Sequence, residues 1–403
     1  MPSKIKKRGE SSYLLTVTAG YDGSGKQICH TKTVTANSPR EAEKQYGLFL
    51  AEIEKGLIAT SGKMTLIEFF DYWKINHATK NLAATTLATY EHIFKRISQA
   101  LGHKRLDKIE PIHLNAFFTN LQEPIKETSS GETVTLSAAT IKKHYELLSI
   151  MFNRAVKWNL IPYNPITRIE LPKQKRKPTI IYNQEELGVF LILLEKQPIK
   201  YQLMIALALT CSLRREEIFG LEWEHIDLEK NTLHIIQASV YVPGLGIILK
   251  DTKTRSSNRL ISISESVSAM FKRHKIEQAT QQLKLGDKWF KDEKHNFLFT
   301  TWNGQQGHPH SVNSWLKRFI KDNDLPPISI HAFRHMNASY LIMSGVDIRT
   351  VAGKLGHSKP SVTMDIYSHL IKSAERETAN IMDTFLQEVT EKAKSVQKKQ
   401  VKK

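Results

Sequence analysis

Leu355-Gly356-His357-Ser358-Lys359-Pro360-Ser361-Val362-Thr363-Met364-Asp365-Ile366-Tyr367-Ser368-His369 reads as one helix ending, a tight turn and a second helix beginning. Glycine is the residue that most readily closes a helix in the left-handed conformation, and Ser361 is placed to start the next helix. That next helix carries Tyr367 to one side. Taken alone, a helical tyrosine is core or ordinary surface. Just upstream, His331-Ala332-Phe333-Arg334-His335 predicts another helix. Phe333, Met336 and Tyr340 form its apolar face, while His331, Arg334 and His335 fall together on a different one. Two histidines four residues apart invite a zinc site. The carboxylate of HExxH is missing, however, and no cysteine or acidic partner stands nearby, so no metal is expected.

Working further outward, Arg214-Arg215-Glu216-Glu217 places Arg214 and Glu217 three apart on a helix, where a carboxylate can fix the orientation of a guanidinium. In isolation such a pair is a surface ion pair. Lys253 lies between two β-prone runs, Ile247–Leu249 and Leu260–Ile263, and is expected at a hairpin tip, where lysines are usually just solvated. Each of these patterns is modest by itself.

Composition narrows the partner. Lys plus Arg number 58 against 40 Asp plus Glu, a net charge of +18, which predicts attraction to a polyanion and favours nucleic acid. The two cysteines, Cys29 and Cys211, form no CxxC pair and suggest neither a disulfide scaffold nor a metal centre. The apolar runs are too short to span a bilayer, and the start of the chain is polar and basic, without a signal-like core. A cytoplasmic, nucleoid-associated protein with no membrane partner is expected.

Three blocks follow one another along the chain. Residues 1–60 predict a small β-sheet with one helix, opened at Ser38-Pro39-Arg40-Glu41 by a capping box with proline in the first turn. Its Gly20 to Gln27 stretch resembles a phosphate-binding loop but lacks the hydroxyl after Lys26 and a following helix, so it reads as a hairpin turn. Residues 63–172 are helical. Thr65 and Glu68 form a second capping box, Gly102 is expected to close one helix, and Ser137 to open another. The aromatic stripes at Phe69, Phe70, Trp73 and at Leu114, Phe117, Phe118 are core positions. Residues 173–178 form a basic, proline-bounded linker. Residues 179–390 mix helices with short β-prone runs, including a helix expected from Arg214 through Trp223, and residues 391–403 are a lysine-rich tail. The fold class is therefore multidomain α+β.

Two arginines, a lysine, two histidines and a tyrosine suit one task. An anionic phosphodiester gains charge on its non-bridging oxygens when attacked, and guanidinium groups grip those oxygens while staying charged. Preorganised donors of this kind are worth about 3–4 kcal/mol each. A phenol, with an ordinary pKa of about 10, needs such cations and a proton acceptor to become a nucleophile.

The order Arg214, Lys253, His331-x-x-Arg334, His357, Tyr367, with the strings Arg-x-x-Glu-Ile-x-x-Leu-x-Trp, Lys-Thr-x-x-Ser, His-x-x-Arg-His, Leu-Gly-His-Ser and Tyr-Ser-His, resembles the tyrosine recombinases, or phage integrases. The likeness extends over essentially the whole chain. It implies a three-stranded arm-site DNA-binding domain, a helical core-binding domain and a catalytic domain. Tyr367 would be the nucleophile forming a 3′-phosphotyrosyl link. Arg214 and Arg334 would bind the phosphate, with His357 assisting. Lys253 would be the general acid, His331 would aid proton transfer, and Glu217 would support Arg214. The resemblance implies no cofactor, double-stranded DNA attachment sites as partners, a homotetramer passing through a Holliday junction, and accessory DNA-bending or directionality factors. A C-terminal helix at residues 373–389 would dock on a neighbouring subunit. Many members carry Thr-Gly where this chain has Cys211-Ser212, and the turn there is expected to differ because serine resists positive φ. Two alternatives share these residues: a type IB topoisomerase-like nickase and a catalytically silent DNA-binding factor.

Overall fold

The computed structural model describes residues 4–21, 27–54, 64–124, 126–127, 133–172, 181–251, 258–364, 383–387 and 389–391. Lys253, Tyr367, the basic segment 173–178 and the tail beyond residue 391 lie outside them, as does most of 373–389. The chain divides into two compact units, Met1–Arg176 and Lys177–Lys403.

The first unit opens with an antiparallel sheet of β1 (Ile5–Lys7), β2 (Ser12–Tyr21) and β3 (Gln27–Thr35), with β2 in the centre. Alternation along β2 turns Tyr13, Leu15 and Val17 inward, where they share a small core with Ala42 and Phe49 of α1 (Pro39–Glu54). Ser38 Oγ accepts the Glu41 N–H at 3.2 Å, and the Glu41 carboxylate accepts the Asn37 N–H at 2.9 Å, capping α1 in both directions.

The same unit holds a separate helical core to which α2 (Leu66–Trp73), α4 (Ala84–Leu101) and α5 (Pro111–Asn120) contribute, while the short α3 (Thr79–Asn81) buries no side chain. A two-residue pair, β4 (Lys126–Glu127) with β5 (Thr133–Val134), precedes α6 (Ala138–Lys157). The Thr65–Glu68 box forms in both halves, at 3.3 Å and 2.7 Å. It sets the register that buries Leu66, Phe69, Phe70 and Trp73, and Phe70 stacks on Phe94. Gly102 does close α4, but in the right-handed conformation. It is glycine because a Cβ there would collide with Ser98 O and the Ile67 side chain.

The second unit carries α7 (Gln184–Leu194), α8 (Ile199–Thr210) and the short α9 (Arg215–Phe219). The helix expected to run through Trp223 stops early. Gly220 sits so close to the following backbone that a Cβ would meet Ala238 Cα and Gln237 O at 2.9 Å, and Trp223–His225 forms only a 3-10 turn. Among the described residues five strands follow: β6 (Ile226–Asp227), β7 (Thr232–Ile235), β8 (Gln237–Val242), β9 (Gly246–Asp251) and β10 (Arg259–Ser262). β10, β7 and β6 make one sheet, whereas β9 pairs with β8. The strands on either side of Lys253 thus belong to different sheets, which corrects the expected hairpin between them. Then come α10 (Glu265–Leu285), α11 (Ser311–Asp322), α12 (Ile330–Met343) and α13 (Ile348–Leu355). Leu203, Leu207 and Ala208 of α8 sit in the core with Phe271, Leu233, Phe333 and Met336. No described helix is long and apolar enough to cross a membrane.

Candidate active site

The site is organised around the end of α13. Asp347 opens that helix by accepting the Arg349 and Thr350 N–H groups at 2.9 and 3.1 Å. Gly356 closes it where the sequence places the helix end, in the left-handed conformation at φ 63°, ψ 40°. The Gly353 and Ala352 carbonyls are then answered by the Gly356 and His357 N–H groups. The next carbonyls have no intrahelical donor and lie at the negative end of the helix dipole. Each receives an arginine from a different part of the chain. Arg259 Nε donates to Lys354 O at 3.0 Å, Arg334 Nη2 donates to Leu355 O, and Arg214 Nη2 lies 3.5 Å from Gly356 O.

Arg334 projects from α12 and is 2 % exposed. Its Nη1 donates to Ser212 O, and its Nη2 lies 3.2 Å from His357 Nε2. A buried guanidinium is tolerable only with such a set of acceptors. Ser212 has φ 57°, so the turn expected to differ for want of glycine stays left-handed. Its hydroxyl donates to Asn337 Oδ1 and its carbonyl holds Arg334, bonds that offset a conformational cost of about 1–2 kcal/mol.

Arg214 stands at the start of α9 with its side chain 32 % exposed, whereas the Glu217 side chain is 4 % exposed. Glu217 accepts the Arg214 backbone N–H at 2.8 Å and its Nη1 at 2.7 Å. The same carboxylate takes Arg259 Nη1 and Nη2 at 3.1 and 2.8 Å. Burial pushes the Glu217 carboxyl up, but the Arg259 hydrogen bonds and charge, joined by Arg214, outweigh it and hold the pKa below the ordinary value.

His357 sits against Arg334. A guanidinium only donates, so Nε2 is the bare nitrogen, and Nδ1–H donates to Thr363 Oγ1 at 2.8 Å. Desolvation, followed by the charges of Arg334, Arg214 and Arg259 and then His335, lowers its pKa to about 4. His335 is also lowered to about 4, by burial and then His331 and Arg334. The His331 and His335 rings meet edge to face with centroids 4.7 Å apart. Desolvation and the Arg334 and Arg214 charges keep His331 below the ordinary histidine range. Below pH 6.5 the unfolded chain takes up protons that the folded histidines refuse, until the pH nears 4. Stability is therefore full above that window and is lost as pH falls through it. Thermal unfolding midpoints between pH 7 and 4.5 are expected to fall less steeply for His357→Asn than for the parent chain. Equal slopes would remove His357 from this linkage.

Arg214, Glu217, Arg334 and His357 are thus brought together, with His331 on the same helix as Arg334. Sequence reading missed Arg259, Thr363, Ser212 and Asn337 as members of the cluster. Arg259 left a signal. Along β10 it alternates with exposed Leu260 on the side of buried Ile261, and an inward charge on a strand needs a partner. Thr363 is fully buried, a rare state for threonine, yet no local pattern announces its bond to His357.

Residues 181–374 match the model of the phage integrase family, and residues 65–122 match that of the phage integrase N-terminal SAM-like domain, together more than half of the chain. A tyrosine recombinase XerC-like protein of Caldanaerobacter subterraneus subsp. tengcongensis is 28% identical over 94% of this chain and 98% of its own length. The ICEBs1 integrase of Bacillus subtilis is 26% identical over 73% of this chain and 76% of its own. Among solved structures, the Tn1549 transposon integrase in complex with a circular intermediate DNA has a TM-score of 0.65 at 21% identity, covering 79% of this chain and 99% of that one, a likeness of fold. With both family models matched in chain order and the arginine cluster inside the larger, the chain belongs to the phage integrase family: it is a tyrosine recombinase, an enzyme that cleaves and rejoins DNA strands.

Proposed function

We propose that this recombinase is a site-specific integrase that moves a mobile element into and out of double-stranded DNA attachment sites, using Tyr367 as its nucleophile. One observation supports this most: Arg214, Glu217, Arg334 and His357, from separated stretches of chain, meet in one cationic cluster at the end of α13, immediately before the stretch that carries Tyr367.

Arg214 and Arg334 stabilise the charge that grows on the non-bridging oxygens as the Tyr367 oxygen attacks phosphorus. The P–O5′ bond breaks, Lys253 protonates the leaving oxygen, and a 3′-phosphotyrosyl bond forms. His331 assists proton transfer, neutral His357 lies beside Arg334, and Glu217 orients Arg214. A free 5′-hydroxyl then attacks the phosphotyrosine. The phosphotyrosyl ester conserves the bond energy, so neither nucleotide nor metal is needed. Two successive exchanges in a homotetramer pass through a Holliday junction. Residues 63–172 and 179–390 hold the core site, joined by the basic linker 173–178. Residues 1–60 hold arm-type DNA through their sheet, and accessory DNA-bending or directionality proteins shape the assembly.

The test is a nicked suicide duplex taken from the site that footprinting identifies on the encoding element, incubated in EDTA. The expected result is a covalent adduct that maps to the Tyr367 peptide, followed by strand exchange between two labelled duplexes. An adduct without exchange would mean a topoisomerase-like nickase, and no adduct a silent DNA-binding factor.

A further inference from the structure

We propose that Arg259 is a positioning residue for strand cleavage: by neutralising Glu217 it leaves the charge of Arg214 free to act on the scissile phosphate. This rests on the reading of Arg214 as a phosphate ligand. Glu217 is buried and takes hydrogen bonds from both arginines, through Arg214 N and Nη1 and through Arg259 Nη1 and Nη2. The two arginines differ in exposure. The Arg259 side chain is 7 % exposed and also holds Lys354 O, whereas that of Arg214 is 32 % exposed. Arg259 is thus the interior partner of the carboxylate, and Arg214 is the one that can meet a ligand.

Charge accounting gives the functional consequence. Arg214 and Glu217 alone form a neutral pair, and a neutral pair offers an anionic phosphate little beyond hydrogen bonds. With Arg259 the triad carries one net positive charge, and the Arg259 guanidinium is itself taken up by Glu217 and Lys354 O through Nη1, Nη2 and Nε. The bidentate fork of Arg259 also fixes the carboxylate plane, so that one oxygen remains aligned with Arg214 Nη1. The same residue begins β10 and ties it, through Lys354 O, to α13, the helix that Gly356 closes.

The experiment compares single-turnover cleavage of the nicked suicide duplex by the full-length chain and by Arg259→Lys, Arg259→Gln, Glu217→Gln and the Glu217→Gln/Arg259→Gln double variant. Arg259→Gln is expected to lower the cleavage rate roughly 10- to 100-fold, less than the loss of a direct oxyanion donor, with duplex binding unchanged. Arg259→Lys, which keeps the charge, should lose less. The double variant should recover most of the loss, because removing the carboxylate removes the charge that Arg259 answers. A structural role alone would not give that recovery.

A second substrate, with a methyl group replacing one non-bridging oxygen of the scissile phosphate, separates the two readings. On that neutral linkage both Arg214→Ala and Arg259→Gln should approach the parent rate. If Arg214→Ala is not relieved there, Arg214 is not the phosphate ligand and the wider reading fails. If Arg214→Ala is relieved while Arg259→Gln loses as much on both substrates, or the double variant stays as slow as Arg259→Gln, the positioning role is wrong. Unchanged cleavage by Arg259→Gln would also overturn it. Should Arg259→Gln not fold, Arg259→Lys and the double variant carry the same comparison.

Discussion

Tyr367→Phe is expected to abolish the covalent adduct while leaving binding of the duplex intact. The change removes one oxygen and keeps the ring, so whatever packing the side chain makes is retained. What it deletes is the atom that must bond to phosphorus. Loss of a covalent nucleophile costs at least about 10⁴-fold, because the remaining cations can stabilise a transition state but cannot supply a bond. Binding depends instead on Lys and Arg meeting phosphates across a long interface, which follows from the net charge of +18 and is sensitive to salt. The measurement pairs an SDS-resistant adduct on the nicked duplex in EDTA with a gel-shift titration of the same duplex. An adduct that survives in Tyr367→Phe would mean that another residue attacks. Loss of adduct together with loss of binding would point to a folding defect, and denaturation by heat would reveal it.

Much of the framework could be read from residue order, and the reason is local. The Thr65–Glu68 box, the stripe from Leu66 to Trp73 and the Asp347 and Gly356 ends of α13 are set by interactions within a few residues. The sequence therefore carries them openly. Long polar α10 was not evident because its buried side is narrow, with Val267, Phe271 and His274 inward while Ile276 and Leu283 are exposed, which blurs the helical period. β8 escaped for a related reason: Gln237, Ala238 and Val240 are only partly buried, so its alternation is faint.

The site divides along the same line. Arg214 with Glu217, and Arg334 with His331, are near in sequence and share a local geometry that spacing can express. Which main-chain oxygens those arginines and Arg259 bind is another matter. Lys354 O, Leu355 O, Gly356 O and Ser212 O are backbone acceptors, and a backbone carbonyl has no residue type to recognise. The left-handed turn at Ser212 shows the limit most clearly. Propensity favours glycine there, but long-range bonds to Asn337 and Arg334 hold serine in the same conformation. Tertiary bonds overrode a local preference that was correctly identified.

Arg334→Ala is expected to damage folding and chemistry together, and Arg334→Lys to separate them. Truncation leaves Ser212 O and Leu355 O without the guanidinium and opens a void in a nearly closed interior. Each buried acceptor deprived of its donor costs about 1–3 kcal/mol, enough together to lower the unfolding midpoint clearly. Lysine keeps the positive charge but offers a single ammonium where the site uses a planar fork, so it can answer one of these acceptors well and the others poorly. Its stability should lie between those of the parent and the alanine variant. Its cleavage rate should still fall about 10²–10³-fold, the usual cost of a lost oxyanion donor. A further consequence follows for His357. After desolvation, the Arg334 charge is the largest contribution to holding its pKa down to about 4. Arg334→Ala should therefore move the acid limb of the pH–cleavage profile upward, while Arg334→Lys should leave it nearly in place. Calorimetry with single-turnover cleavage at several pH values checks all of this. If Arg334→Ala unfolds at the parent temperature and cleaves at the parent rate, the two carbonyls have found other donors and the guanidinium is not what joins α12 to the end of α13.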